Sequence, residues 1–166
     1  KSMRAQYEVT DDIINLEAGY WGIMSIPVTQ AYMRNVHFVN QNSSYYVRRK
    51  YGQDYNAIIK RLALKLGVRE DELVLTRNAT EALQSLINGY NKLKPGDSII
   101  YADLDYGSMQ SEMRYLEKYR KVTVVKINLP EPASYENIIA AYEQALNDNP
   151  KCKMILLTHV SNRTGL

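Results

Sequence analysis

Residues 94–127, KPGDSIIYADLDYGSMQSEMRYLEKYRKVTVVKI, lay out a turn, a strand, a helix and a second strand in succession. Lys94-Pro95-Gly96-Asp97 is a turn, because Pro and Gly together punctuate regular structure. Ile99-Ile100-Tyr101 is a strand. Met109, Met113 and Leu116 then recur at helical spacing. Val122 to Ile127 is a second strand, rich in β-branched residues. A strand, a helix of about a dozen residues and another strand make a βαβ unit, whose strands run parallel.

The alternation continues on both sides. Downstream, Ile138, Ile139, Tyr142 and Leu146 mark a helical face, and Met154 to Leu157 is a last strand. Upstream, the apolar run Leu73-Val74-Leu75 reads as a strand end that leads into a helix over 79–90, with Leu83, Leu86, Ile87 and Tyr90 on one face. Tyr55, Ile58, Ile59, Leu62 and Leu66 mark an earlier helix that Gly67 ends as a C-terminal cap. Asn40 to Gly52 is polar and Tyr-rich, which predicts a loop or helix break. Ser25-Ile26-Pro27 signals a helix start, with Pro in the first turn. Before it, Ile13 to Leu16 reads as a small strand or extended arm, and Gly19-Tyr20-Trp21-Gly22 as a flexible aromatic loop. The organisation expected is an arm and helices over 1–70, followed over 71–166 by an α/β layer structure: a parallel or mixed sheet with flanking helices.

Composition narrows the function classes. In 166 residues, 45% are hydrophobic and 23% charged, ordinary values for a globular chain. Lys and Arg number 21 against 18 Asp and Glu, a net charge of +3 that gives no basic footprint for nucleic acid. No apolar run approaches the roughly 18 residues of a membrane span. One cysteine and two histidines leave no framework for disulfides or a Cys/His metal site. No export leader is visible at Lys1-Ser2-Met3-Arg4, so the expected compartment is the cytoplasm, or the periplasm if a leader has been removed.

In parallel α/β sheets ligands gather at the carboxyl ends of the strands. Three segments there carry chemistry. Thr76 to Leu83 runs into a helix whose first turn offers free N–H groups and the positive end of the helix dipole. Small Ala79 and the Thr80 hydroxyl suit a phosphate. The same segment reads equally as a capping box, Asn78 with Glu81 three residues on, which needs no ligand. Asp103-Leu104-Asp105-Tyr106-Gly107 offers an aromatic face beside a glycine, while Asp105 is the expected N-cap of the next helix. Thr158 to Gly165 concentrates polar groups, with Asn162 a hydrogen-bond donor or a turn residue. A phosphate cradle, a flat face and a donor on one sheet edge suit a phosphorylated aromatic cofactor.

With these motifs in order, the chain resembles the N-terminal part of a class V aminotransferase-type enzyme, in the fold-type I group that uses pyridoxal 5′-phosphate (PLP). Within that group it is similar to the isopenicillin N epimerase-like branch. The motifs are Thr-Arg-Asn-Ala-Thr-Glu-Ala-Leu at 76–83, Asp-Leu-Asp-Tyr-Gly at 103–107 and His-Val-Ser-Asn-x-Thr-Gly at 159–165. The resemblance implies that Ala79 and Thr80 bind the cofactor phosphate. It implies that Tyr106 stacks on the pyridine ring and that Asn162 hydrogen-bonds the phenolic oxygen. Trp21 would then shape the substrate pocket. Arg48 or Arg49, in the basic aromatic patch Tyr45 to Tyr51, would hold a substrate carboxylate, for which a planar guanidinium is suited. The resemblance further implies a homodimer and an amino-acid-like substrate, processed by transamination, epimerisation or a lyase step. The family's pyridine-pairing Asp and its cofactor-bonding Lys are expected beyond Leu166, so the chain looks truncated and has no covalent anchor of its own. The alternative of another class is a non-catalytic α/β module that binds a phosphate ligand.

Overall fold

The computed structural model describes residues 3–17 and 19–165. Lys1, Ser2, Ala18 beside the aromatic loop, and Leu166 lie outside the described residues. Two units are present, Lys1–Leu75 and Thr76–Leu166.

In the first unit, a short 3-10 turn at Met3–Gln6 is followed by an arm without strand pairing, which includes Ile13 to Leu16. Helix α1 spans Ile26–Arg49, starting from an extended Ser25 with Pro27 in the first turn. The stretch 40–52, expected as a loop or helix break, is helix interrupted by a break, as the second alternative has it. Its one internal departure is Ser43, at φ 42° and ψ −126°, and the helix yields only at Lys50. The reason is compositional: no Gly or Pro occurs between Pro27 and Gly52, and only those two residues carry a large helix penalty. Helix α2, Tyr51–Leu66, ends at Gly67 in the left-handed region (φ 71°), as the cap requires. Ile59 and Ala63, one turn apart, are its buried residues.

The second unit is built on a three-stranded parallel sheet in the order β2-β1-β3. The central strand β1, Ser98–Ala102, is buried along its whole length. Strand β2 is Thr123–Ile127 and β3 is Cys152–Ile155. The turn at 94–97 precedes β1, with Gly96 at φ 87° and the Asp97 amide bonded to the Lys94 carbonyl at 3.0 Å. Helices α3 (Ala79–Gly89), α4 (Gly107–Arg120) and α5 (Tyr135–Asp148) complete the unit.

The chain steps from β1 to β2, then back past β1 to β3. Right-handed crossovers taken in opposite directions put their helices on opposite faces of the sheet. Accordingly, Ile99 and Tyr101 join a cluster with Ile87 of α3 and Met109, Met113 and Leu116 of α4. Ile100 and the α5 residue Ala145 are buried outside it.

Two strand expectations need correction. Leu73-Val74-Leu75 belongs to no strand; an apolar triplet becomes one only where a neighbour takes its hydrogen bonds, and no described residue does so. The last strand begins two residues earlier than Met154. A register irregularity at Ser98/Ile99 aligns Cys152 with Ser98 and Met154 with Ile99. Pairing ends where the Leu156 amide bonds the Ile100 carbonyl at 2.9 Å.

Candidate functional site

The loop leaving β1 is held from three sides. Asp103 Oδ1 accepts the Leu129 amide at 3.0 Å, which fastens the loop after β2. Asp105, only 3% exposed, accepts the Ala102 amide on Oδ2 at 2.6 Å and the Thr158 amide on Oδ1 at 3.1 Å. Gln110, on α4, donates to the carbonyls of Asp103 (3.0 Å) and Asp105 (2.7 Å). Asp105 is therefore not the cap of α4. That position belongs to Tyr106, whose side chain makes no capping bond. The Asp105 carboxylate has stronger work elsewhere, since the buried Ala102 amide and the half-buried Thr158 amide would otherwise lack that acceptor.

Tyr106 emerges from this braced loop with its side chain exposed. Beyond β3, the segment 158–165 is fastened at Thr158 and folds on itself. The Gly165 amide bonds the Ser161 carbonyl at 2.9 Å, and the Arg163 amide bonds Ser161 Oγ at 3.2 Å. Asn162 sits in this turn, exposed, next to buried Ser161.

Ala79 and Thr80 form the first turn of α3. Asn78 Oδ1 accepts the Glu81 amide at 2.9 Å, and the Ala82 amide bonds the Asn78 carbonyl at 3.2 Å. The amides of Ala79 and Thr80 keep no partner among the described residues, so half of the capping-box expectation stands and two donors remain. The reciprocal half differs: Glu81 reaches back to the Arg77 amide at 2.8 Å and to the Arg77 guanidinium, instead of to Asn78. That contact holds the Glu81 carboxyl below its usual range.

Helix packing sets the level of this N-terminus. Gln84 of α3 bonds Glu112 of α4 at 3.2 Å, Asn88 bonds the same carboxylate, and Arg120 caps the Asn88 and Tyr90 carbonyls. The two helices therefore run side by side in the same direction. Each begins five residues, about 7.5 Å at 1.5 Å per residue, before the Gln84–Glu112 contact. The free amides of α3 thus face the end of the unit where Tyr106 starts α4.

Tyr142 of α5 feels the same carboxylates. Burial first, then the negative charges of Asp105 and Asp103, push its phenol up to about 12. A phenol raised in the folded state favours folding fully below its ordinary value near 10, and loses that contribution as pH rises through about 12. The phenolate absorbance of the folded protein should accordingly contain one late step that Tyr142→Phe abolishes. The variant should also lose less stability than the parent between pH 10 and about 12. Indistinguishable titration curves would contradict this environment for Tyr142.

The remaining expected residues lie in the first unit. Trp21 is 80% exposed in the arm. Arg48, but not Arg49, lines a cavity of about 580 Å³ with Val39, Asn40, Ser43, Ser44 and Val47, at the break in α1. Both arginines are exposed. Sequence reasoning missed Glu112, Arg120 and Gln110 as braces. Each acts on carbonyls or amides that no local motif announces.

Comparison with known proteins adds the following. The family model described as Aminotransferase class-V matches residues 26–166. A probable cysteine desulfurase of Vibrio cholerae serotype O1 is 32% identical over 95 residues, 56% of this chain and 22% of that protein. Among solved structures, a mutant of C-DES with glycine covalently linked to the PLP cofactor superposes at a TM-score of 0.83 with 16% identity, over 98% of this chain and 42% of that one. The cysteine desulfurase CsdA from Escherichia coli matches at 0.77 with 20% identity, over 98% and 42%. The chain thus spans less than half the length of these relatives. Among the described residues, no helix is long and apolar enough to cross a membrane.

Proposed function

Because the chain belongs to the class V aminotransferase family, we propose that it is the N-terminal portion of a PLP-dependent enzyme acting on an amino-acid-like substrate. One observation carries the reading. Two amides without a partner among the described residues, an exposed aromatic ring and an exposed carboxamide stand on three segments toward the carboxyl end of one parallel sheet. That donor set fits a planar ligand that bears an anion at one side and an oxygen at the other.

When bound, PLP supplies an electron-withdrawing ring that stabilises negative charge on the carbon next to a substrate amine. This chain's residues do the holding. The amides of Ala79 and Thr80, with the Thr80 hydroxyl, take the phosphate, aided by the positive end of α3. The Tyr106 ring would cover one face of the pyridine and keep water from it. The Asn162 carboxamide donates to the ring oxygen. Arg48 or Arg49 would take a substrate carboxylate, for which a planar guanidinium is suited. Trp21 remains the proposed wall of the substrate pocket. The pyridine-pairing Asp and the covalent Lys would come from sequence beyond residue 166, and the active form would be a homodimer.

The finer assignment divides two ways. The sequence resemblance favours an isopenicillin N epimerase-like enzyme, whereas the curated relative is a probable cysteine desulfurase. The test is uptake of PLP by the protein that carries this chain, followed by a panel of amino acids. A pyridoxal absorbance band that travels with the protein on gel filtration supports the proposal, and its absence after added PLP refutes it. Sulfide release, formation of a 2-oxo acid or inversion at the α-carbon then separates desulfurase, aminotransferase and epimerase.

A further inference from the structure

The Asp105 carboxylate joins two segments that lie 53 residues apart in sequence. Its Oδ2 atom accepts the amide of Ala102, the last residue of β1, and its Oδ1 atom accepts the amide of Thr158, three residues beyond β3. The last backbone bond between these strands runs from Leu156 to the Ile100 carbonyl. The carboxylate carries the contact past the point where the ladder stops. It does so in a buried setting, 3% exposed, with no Lys, Arg or His paired to it among the described residues. A carboxylate in that setting depends on directed N–H donors, so its geometry is sharply defined.

What lies next to each end gives the bond its meaning. Tyr106 follows Asp105 directly, and Gln110 braces the Asp105 carbonyl from α4. Asn162 comes four residues after Thr158, in the 161–165 turn that the bonds to Ser161 close. We propose that Asp105 is a positioning residue: its two oxygens set the Tyr106 ring and the Asn162 carboxamide at a fixed separation before any ligand arrives. The clamp itself stands on the hydrogen bonds. That the positioned ligand is PLP rests on the function proposed above.

The experiment uses Asp105→Ala and Asp105→Asn in the protein that carries this chain. The first readout is amide hydrogen exchange without PLP. Thr158 should exchange about tenfold faster in Asp105→Ala, because its acceptor is gone, with Ile99 and Ile100 of β1 unchanged. The second readout is PLP affinity. Asp105→Ala should weaken it about tenfold, and Asp105→Asn, which keeps one acceptor oxygen, should weaken it less. The third is a double-mutant cycle. If Asp105 acts through Tyr106, its loss should cost markedly less affinity in a Tyr106→Ala background, a coupling that a merely structural role would not produce.

Unchanged exchange at Thr158 overturns the clamp. Faster exchange with PLP affinity within about twofold of the parent, or strictly additive effects in the cycle, overturns the positioning role. If Asp105→Ala also loses protection at Ile99 and Ile100, the same comparisons are read on Asp105→Asn. If the parent protein takes up no PLP, the cofactor reading falls and the exchange arm alone decides the clamp.

Discussion

Leu116→Ala is expected to remove about 2–5 kcal/mol of folding stability, a large share of what a domain of this size holds. Leu116 is fully buried, and it sits with Met113, Met109, Ile99 and Val122 where α4 covers the sheet. Truncation there loses transfer free energy and leaves a cavity that close-packed neighbours fill only in part. Chemical denaturation should show a lower midpoint with an unchanged slope. The control is Leu64→Ala. Leu64 is 86% exposed, so its loss should stay within about 0.5 kcal/mol. Equal effects at both sites would contradict the core described here. The consequence extends to the site, because α4 follows directly on its cap Tyr106 and carries Gln110, which braces the loop above it.

Tyr106→Ala carries the second large effect. Its ring is 45% exposed, so little burial is lost in the free protein and the midpoint of unfolding should barely move. PLP affinity should fall by about 1–3 kcal/mol, the range for stacking of an aromatic side chain on a flat heterocycle, which is roughly fivefold to 150-fold. Tyr106→Phe keeps the face and should retain most of the affinity. A Tyr106→Ala protein that binds PLP as tightly as the parent would remove Tyr106 from the proposed site. A variant that unfolds would instead assign the ring a structural role.

The legible parts of the fold are those whose cause is local. The turn at 94–97 needs a residue at positive φ, and Gly96 supplies it. Gly67 ends α2 for the same reason. The Met109, Met113 and Leu116 stripe is the buried face of α4, because side chains three and four apart share a helix face. The central strand announced itself as an apolar run. The misread stretches are those whose outcome depends on a distant partner or on a missing one. Leu73-Val74-Leu75 has strand composition, but no strand among the described residues pairs with it. The polar stretch 40–52 reads as a loop or helix break; the break is there, at Ser43, and the residues on either side, up to Arg49, stay helical because none is Gly or Pro.

The site divides in the same manner. Residue types at 76–83, 103–107 and 159–165 were enough to point to an anion cradle, an aromatic face and a donor. Nothing in the chain near Asp105 discloses that its carboxylate serves Ala102 and Thr158 instead of α4, since one of those amides is 53 residues away. Nor does local sequence distinguish Arg48 from Arg49, which only the cavity at the α1 break separates. Residue order alone carried the alternation from β1 onward, the turn at 94–97, the Gly67 and Asn78 caps and the family, because these follow from neighbouring side chains and motif order. Only the tertiary structure decided which strands pair, which helix N-termini share a level and which acceptor meets each buried amide. Those choices are made by hydrogen-bonding groups that must be satisfied across space.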